Sequence, residues 1–213
     1  MSDHHSAALA DIPTPATSTN AAVTEATATT AFVLPAPSPG TRLRLAAAAA
    51  GVTLLWTVAL LASTRINLSH GLHHPVVALH LISLTVGFGA VLAVDVCALN
   101  GLLRRHDFTL ADAIRAAAVV DPLIWTGYFG LILSGLLLRP DFGEPLMWVK
   151  LAAGFLAGLN GINAKSVMHP LAALPRSTRL ADLPRSFAVR AIAAALISQL
   201  AWWTAILIGF FGI

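Results

Sequence analysis

The chain has 213 residues, 57% of them hydrophobic and only 11% charged, with a mean hydropathy of +0.77. A soluble domain carries about 25% charged residues, so this composition excludes a water-soluble enzyme or carrier and points to an integral membrane protein. The net charge of +3 comes from basic residues spread among loops, without the basic stripe and interleaved aromatics of a nucleic-acid binder.

Residues 1–41 come first, rich in Ala, Thr, Ser and Pro ("PATSTNAAVTEATATTAF", "LPAPSPG") and without apolar periodicity. They predict a disordered cytoplasmic tail, in which His4 and His5 read as solvated side chains. Residues 42–213 form the transmembrane domain. Five apolar stretches lie near 45–63, 75–99, 120–138, 145–163 and 188–212. Each is long enough for a hydrocarbon core of about 30 Å, which takes roughly 17–25 helical residues. All must be helices, because lipid offers the backbone no hydrogen-bond partner. The fold class is therefore all-α: a polytopic membrane protein of five transmembrane helices. Spans two to five make a four-helix core bundle and span one, which has no ionisable side chain, packs outside it.

Before span three, "TLADAIRAAAVVDP" opens on a Thr109-x-x-Asp112 capping box. It reaches Asp121-Pro122, which reads as a second helix start after a short surface helix. Gly130 and Ser134 on span three, and Gly154 and Gly158 on span four, have the spacing that lets helix backbones approach closely in lipid.

Ten basic residues fall on one side of these spans, against Arg65 and Arg139 on the other. The positive-inside rule puts the N-terminus in the cytoplasm and the C-terminus outside a bacterial inner membrane. Cys97 is the only cysteine, which excludes an intrachain disulfide and a CxxC motif. No cleaved signal peptide is expected, since the first apolar run follows a long tail without a basic start.

Spans two and four run in the same direction. His80 and Lys150 each follow a proline by five residues, about 7–8 Å along a helix, so they lie at similar depth. Lys150 sits at the end of its helix where the dipole disfavours a cation. Either it snorkels to the headgroups beside Trp148 and Glu144, or it belongs to a site. Its helix face carries Gly154, Gly158 and Gly161, while that of His80 carries Ser83 and Gly87. Such a slot accepts a flat cofactor edge or simply lets two helices touch. A neutral imidazole is a common haem axial ligand, and a lysine amine can ligate or pair with a propionate.

Asp95 lies about 22 Å further along span two, at the depth of Asn160, Asn163 and Arg190. An Asp95–Arg190 contact with amide support is one reading of this polar cluster, and a proton-relay acid is the other. Ser198, Gln199 and Thr204 add polar groups on span five. His70, His73 and His74 have a spacing that converges on a metal if the segment is helical. There is no phosphate loop, nucleophile elbow or hydrolytic carboxylate pair.

The stretches "LHLISLTVGFGAVLAVDVCALNGL" and "GYFGLILSGLLLRPDFGEPLMWVKLAAGFLAGLN" carry an H-L-x(7)-G-x(5)-D helix, an SGLLL helix and a K-L-x(5)-A-G-L-N helix. Over 75–165 the chain resembles small uncharacterised bacterial inner-membrane proteins. More remotely it is similar to HemJ-type protoporphyrinogen oxidases and CopD-like copper-resistance membrane domains. The HemJ-type resemblance implies a functional, haem-associated histidine and lysine at His80 and Lys150. The CopD-like one implies copper at the outer histidines.

The functional expectation is a b-type haem or porphyrin-associated redox membrane protein with His80 and Lys150 as cofactor site. Its rivals are a transport or copper-handling protein using His70, His73, His74 and His80 with a polar path toward Asp95, and a structural subunit of a membrane complex. The lipid bilayer is the partner in every case, with a second membrane protein or another copy of the chain as further candidates.

Overall fold

All five apolar stretches are helical. The structure, a computed structural model, describes residues 38–66, 69–103, 109–168, 171 and 183–211. Five helices lie within them: α1 Pro39–Ser63, α2 His70–Leu103, α3 Leu110–Leu137, α4 Pro145–Met168 and α5 Arg185–Phe210. Each is long and apolar enough to cross a bilayer, and among the described residues there is no strand. The expected tail falls on residues 1–37, outside the described ones, except that α1 takes in 39–41. That extension has a local cause. Ser38 is the N-cap, its Oγ accepting from the Thr41 N–H at 3.2 Å, and Pro39 occupies the first turn, where its missing N–H costs nothing.

At α3 the predicted break is absent. The capping box forms at Thr109 and Asp112, but the helix then runs through Asp121-Pro122 without restarting. Proline removes one backbone hydrogen bond, which membrane helices tolerate when neighbours compensate. Asp121, expected to cap a helix, is engaged sideways instead. It pairs with Lys165 Nζ at 2.8 Å and accepts from Trp125 Nε1–H at 3.1 Å, while the Lys165 ammonium lies 5.0 Å from the Trp125 ring centre. Asp121 therefore ties α3 to α4.

Side-chain register fixes how the helices run. His80 meets Ser134, Ser83 meets Gly130 and Gly87 meets Gly127, so α2 and α3 are antiparallel. Tyr128 against Gly158 and Trp125 against Gly161 set α3 antiparallel to α4, and Lys150 against Gly209 with Asn160 against Ala194 set α4 antiparallel to α5. One end of the bundle carries Arg139 and the other Lys165; the two ends are named by these residues below. At the Lys165 end an apolar cluster of Ile114, Val167, Leu171, Leu183 and Phe187 joins α3, α4 and α5.

The closest approach is between α2 and α3. A Cβ on Gly127 would land on the Gly87 backbone, and one on Gly130 would collide with the Ser83 side chain. In lipid the gain from such contact is dispersion and backbone proximity, because acyl chains give helices no hydrophobic reason to associate. The α4 glycines behave differently from the expectation of backbone approach. Gly154 faces the ring of Trp56, Gly158 the hydroxyl of Tyr128 and Gly161 the ring of Trp125. Gly158 makes room for Tyr128 between α3 and α4 and Gly154 for the Trp56 ring of α1, while at Gly161 the Trp125 ring lies at ordinary contact distance. α1 packs on α3 and α4, and large apolar side chains elsewhere, such as Leu54, Leu61, Val119 and Leu200, face outward to lipid.

Gly127→Ala should lower thermal stability in detergent by about 1–3 kcal/mol, the usual cost of overpacking. Gly89, where a Cβ would meet nothing within 4 Å, is the control, and Gly89→Ala should stay within about 0.5 kcal/mol of the parent protein. Equal melting temperatures for the two variants would refute the close crossing.

Candidate functional site

A cavity of about 530 Å³ opens in the Arg139 half and takes wall residues from all five helices. α1 gives Trp56, Ala59 and Ser63, α2 gives Val77, His80 and Leu84, and α3 gives Tyr128, Ile132 and Gly135, with Arg139 just beyond. α4 adds Met147, Lys150, Gly154 and Ala157, while α5 adds Ala201, Trp202, Ala205 and Gly209. The volume is that of a small-molecule site, and the mix of apolar walls with a few polar groups is typical of one. His80 and Lys150, the cofactor residues expected from sequence, both lie on its wall.

His80 is half-buried, and its Nδ1 lies 2.8 Å from Ser134 Oγ. Ser134 has one hydroxyl proton, which it donates to the Gly130 carbonyl at 2.5 Å. Its oxygen therefore faces the imidazole as an acceptor, and Nδ1 of His80 carries the proton. In the neutral ring this leaves the lone pair on Nε2, and among the described residues nothing hydrogen-bonds to Nε2. The relay is short because of sequence: Gly130 lies four residues before Ser134 on α3, and Gly135 leaves room for the imidazole edge. An imidazole oriented through Nδ1 with Nε2 free is the arrangement by which histidine ligates a metal.

Lys150 is half-buried, on the second turn of α4, with Nζ against α5, where a Cβ on Gly209 would approach it to 3.3 Å. No carboxylate among the described residues pairs with it; Glu144 and Asp141 lie on the exposed α3–α4 connection. A cation near a helix N-terminus without a countercharge is doubly disfavoured, so the cavity presents an ammonium suited to an anion. Arg139 adds a second cation. It adopts φ 53° between the end of α3 and Pro140, in the left-handed conformation that ends a helix and is usually left to glycine.

Deeper in the cavity Tyr128 is buried and accepts a 2.7 Å hydrogen bond from Trp56 Nε1–H. Trp202 closes the floor between α2 and α5. Its ring packs near Gly87 and lies 5.7 Å from that of Phe88, which in turn meets Trp203 at 5.2 Å.

Asp95 lies beyond this aromatic floor. It accepts from Gln199 Nε2, whose Oε1 accepts from Trp203 Nε1–H at 3.1 Å. The Asp95–Arg190 contact does not form. Arg190 is exposed on α5, nine residues or about 13 Å along the helix from Gln199, so the depth expected to be common to Asp95 and Arg190 is not shared. Asn160 clamps α4 to α5 by donating to the Ala194 carbonyl at 2.7 Å, apart from Asp95. His73 and His74 are exposed, their rings 5.9 Å apart and nearly perpendicular, while the His70 side chain lies outside the described residues. Among those described, no three His, Cys, Asp or Glu side chains converge as a metal site.

Sequence reasoning missed Tyr128, Trp56, Arg139 and Met147 as wall residues, and it treated Ser134 only as a small packing residue. The available signal was indirect. Tyr128 is the only tyrosine in the chain, and a phenol inside a span needs a partner. No family model, curated protein or solved structure matches this chain; the site is read from its own geometry.

Ser134→Ala removes the acceptor from His80 Nδ1–H. Leaving a buried donor unpaired should cost about 1–3 kcal/mol of stability. Nitrogen-15 NMR of labelled histidine should show one Nδ1–H tautomer for His80 in the parent protein and a mixture in the variant. A parent protein already holding the Nε2–H form would refute the relay.

Proposed function

We propose that this chain is a multi-pass bacterial inner-membrane protein that holds a b-type haem or related porphyrin in the Arg139-end cavity. The N-terminus is cytoplasmic, so the cavity lies in the outer half of the membrane. The observation that carries the reading is the His80–Ser134–Gly130 relay, which fixes the imidazole with an unshared Nε2 lone pair on a cavity wall.

The residues present fit such a group. Nε2 of His80 would ligate the iron, and the ammonium of Lys150, which has no carboxylate partner among the described residues, would take a propionate at the same end. Ala157 and Ala205 keep part of the wall low beside a flat ring. This is the pairing of histidine and lysine that the HemJ-type resemblance implies. When bound, the haem would supply one-electron redox chemistry at its iron. The protein's own part is to orient the imidazole, neutralise a carboxylate and exclude water from the ring faces with aromatic and aliphatic side chains.

The rival readings have less geometric support. A path from the cavity to Asp95 is interrupted by Trp202 and Phe88, and Asp95 is hydrogen-bonded to Gln199 behind them. His73 and His74 lie outside the cavity wall, which separates a copper site there from the enclosed one.

The protein purified in mild detergent from haem-sufficient cells should show a Soret band, with α and β bands after dithionite. His80→Ala should lower haem occupancy at least about tenfold, the lower bound for disturbing a ligand's surroundings. His73→Ala and His74→Ala should leave it unchanged. A folded, colourless parent protein sinks the reading.

A further inference from the structure

The least explained group on the cavity wall is the Tyr128 phenol. Tyr128 is 4% exposed. A phenol offers one donor and two acceptor positions. Trp56 Nε1–H uses one acceptor position, and the phenol proton finds no acceptor among the described residues. Lipid offers a buried donor no acceptor, and Tyr128 lines the cavity, so the partner available to its proton is what fills the cavity, and a bound oxygen acceptor there replaces solvent.

Position adds a second constraint. The Tyr128 hydroxyl lies against Gly158, and Lys150 stands eight residues earlier on α4, about 12 Å toward the mouth. The cavity therefore has unlike ends: Lys150 and Arg139 outside, and a neutral donor at depth. The nearest cation beyond the floor on α4 is Lys165, already paired with Asp121. A carboxylate buried beside Tyr128 would have no countercharge, which a low-dielectric site penalises heavily. A carbonyl or hydroxyl oxygen needs only the one donor that is present.

We propose that the Tyr128 hydroxyl is the recognition group at the deep end of the cavity, and that the bound compound is a ring system with a neutral carbonyl or hydroxyl oxygen there and its anionic groups at the Arg139 end. The inference rests on the porphyrin reading and narrows it. On a macrocycle this chemistry is a formyl or hydroxyalkyl substituent on the rim opposite the propionates, where protohaem carries only hydrocarbon. A quinone carbonyl offers the same acceptor from another source, and the test separates the two.

The full chain in mild detergent is titrated with three probes: haemin, an iron porphyrin bearing a formyl group in place of a vinyl, and a decyl-tailed benzoquinone. Tyr128→Phe and Trp56→Phe are compared with the parent protein. Both break the same Trp–Tyr hydrogen bond, but only the first removes the phenol proton. The parent should bind the formyl porphyrin about fivefold more tightly than haemin, the worth of one neutral hydrogen bond. Tyr128→Phe should erase that preference and Trp56→Phe should keep it. If neither porphyrin binds, the haem reading fails by itself. The Tyr128 assignment then survives only if quinone affinity falls about fivefold in Tyr128→Phe and not in Trp56→Phe. Equal affinity of the parent for both porphyrins, equal losses in the two variants, or no binding of any probe overturns it.

Discussion

The contact between Gly87 and Gly127 sets the spacing on which the site depends. With no side chain on either residue, α2 and α3 touch backbone to backbone, and only at that separation does His80 reach Ser134 while Ser134 still reaches the Gly130 carbonyl. A longer gap would leave the imidazole free to rotate and the serine hydroxyl free to choose its acceptor. The relay is thus a product of helix packing as much as of residue chemistry. Its components lie 54 residues apart in sequence and are brought together by dispersion forces between two bare stretches of backbone.

The α3–α4 seam follows the opposite rule, and the contrast makes the cavity. There the glycines receive rings, so the helices stand apart by the width of Trp125 and Tyr128. Tight packing on one side of α3 and aromatic spacing on the other open a wedge toward the Arg139 end. At the Lys165 end Asp121, Lys165 and the apolar cluster around Phe187 hold α3, α4 and α5 together. The Arg139 half brings an ammonium, a guanidinium, an imidazole and a phenol to the lining of one space.

Much of this was legible in the residues. Five spans follow from hydropathy, and His80 and Lys150 stand out because a lipid-embedded ionisable group is expensive enough to be rare. The Thr109 capping box was readable because it is local. What was not readable depends on partners elsewhere in the chain. Asp121-Pro122 has every local mark of a helix start, and only Lys165, on the next helix, draws the aspartate sideways. Glycines at fourfold spacing signal close approach without saying whether a backbone or a ring will fill the gap, so Gly154 and Gly158 were misread while Gly130 was not. Counting along the spans puts Asp95 and Arg190 at one depth, but the register of α2 against α5 pairs Asp95 with Gln199, about 13 Å along α5 from Arg190. Tyr128 looked like one more aromatic in a span until Trp56, on the helix expected to be a plain anchor, was found bonded to it.

That bond between Trp56 and Tyr128 also bears on the order in which the protein is built. Of the five described helices α1 leaves the ribosome first, yet the groove that receives it is formed by α3 and α4, and the acceptor for its indole N–H is 72 residues further along the chain. It must therefore wait in the bilayer, with a polar group unpaired, while the α2–α3 pair inserts and α4 follows. Synthesis runs from α1 onward, whereas docking runs back toward it. Of the five, the helix made first is then a cavity wall that closes only after two later ones have arrived.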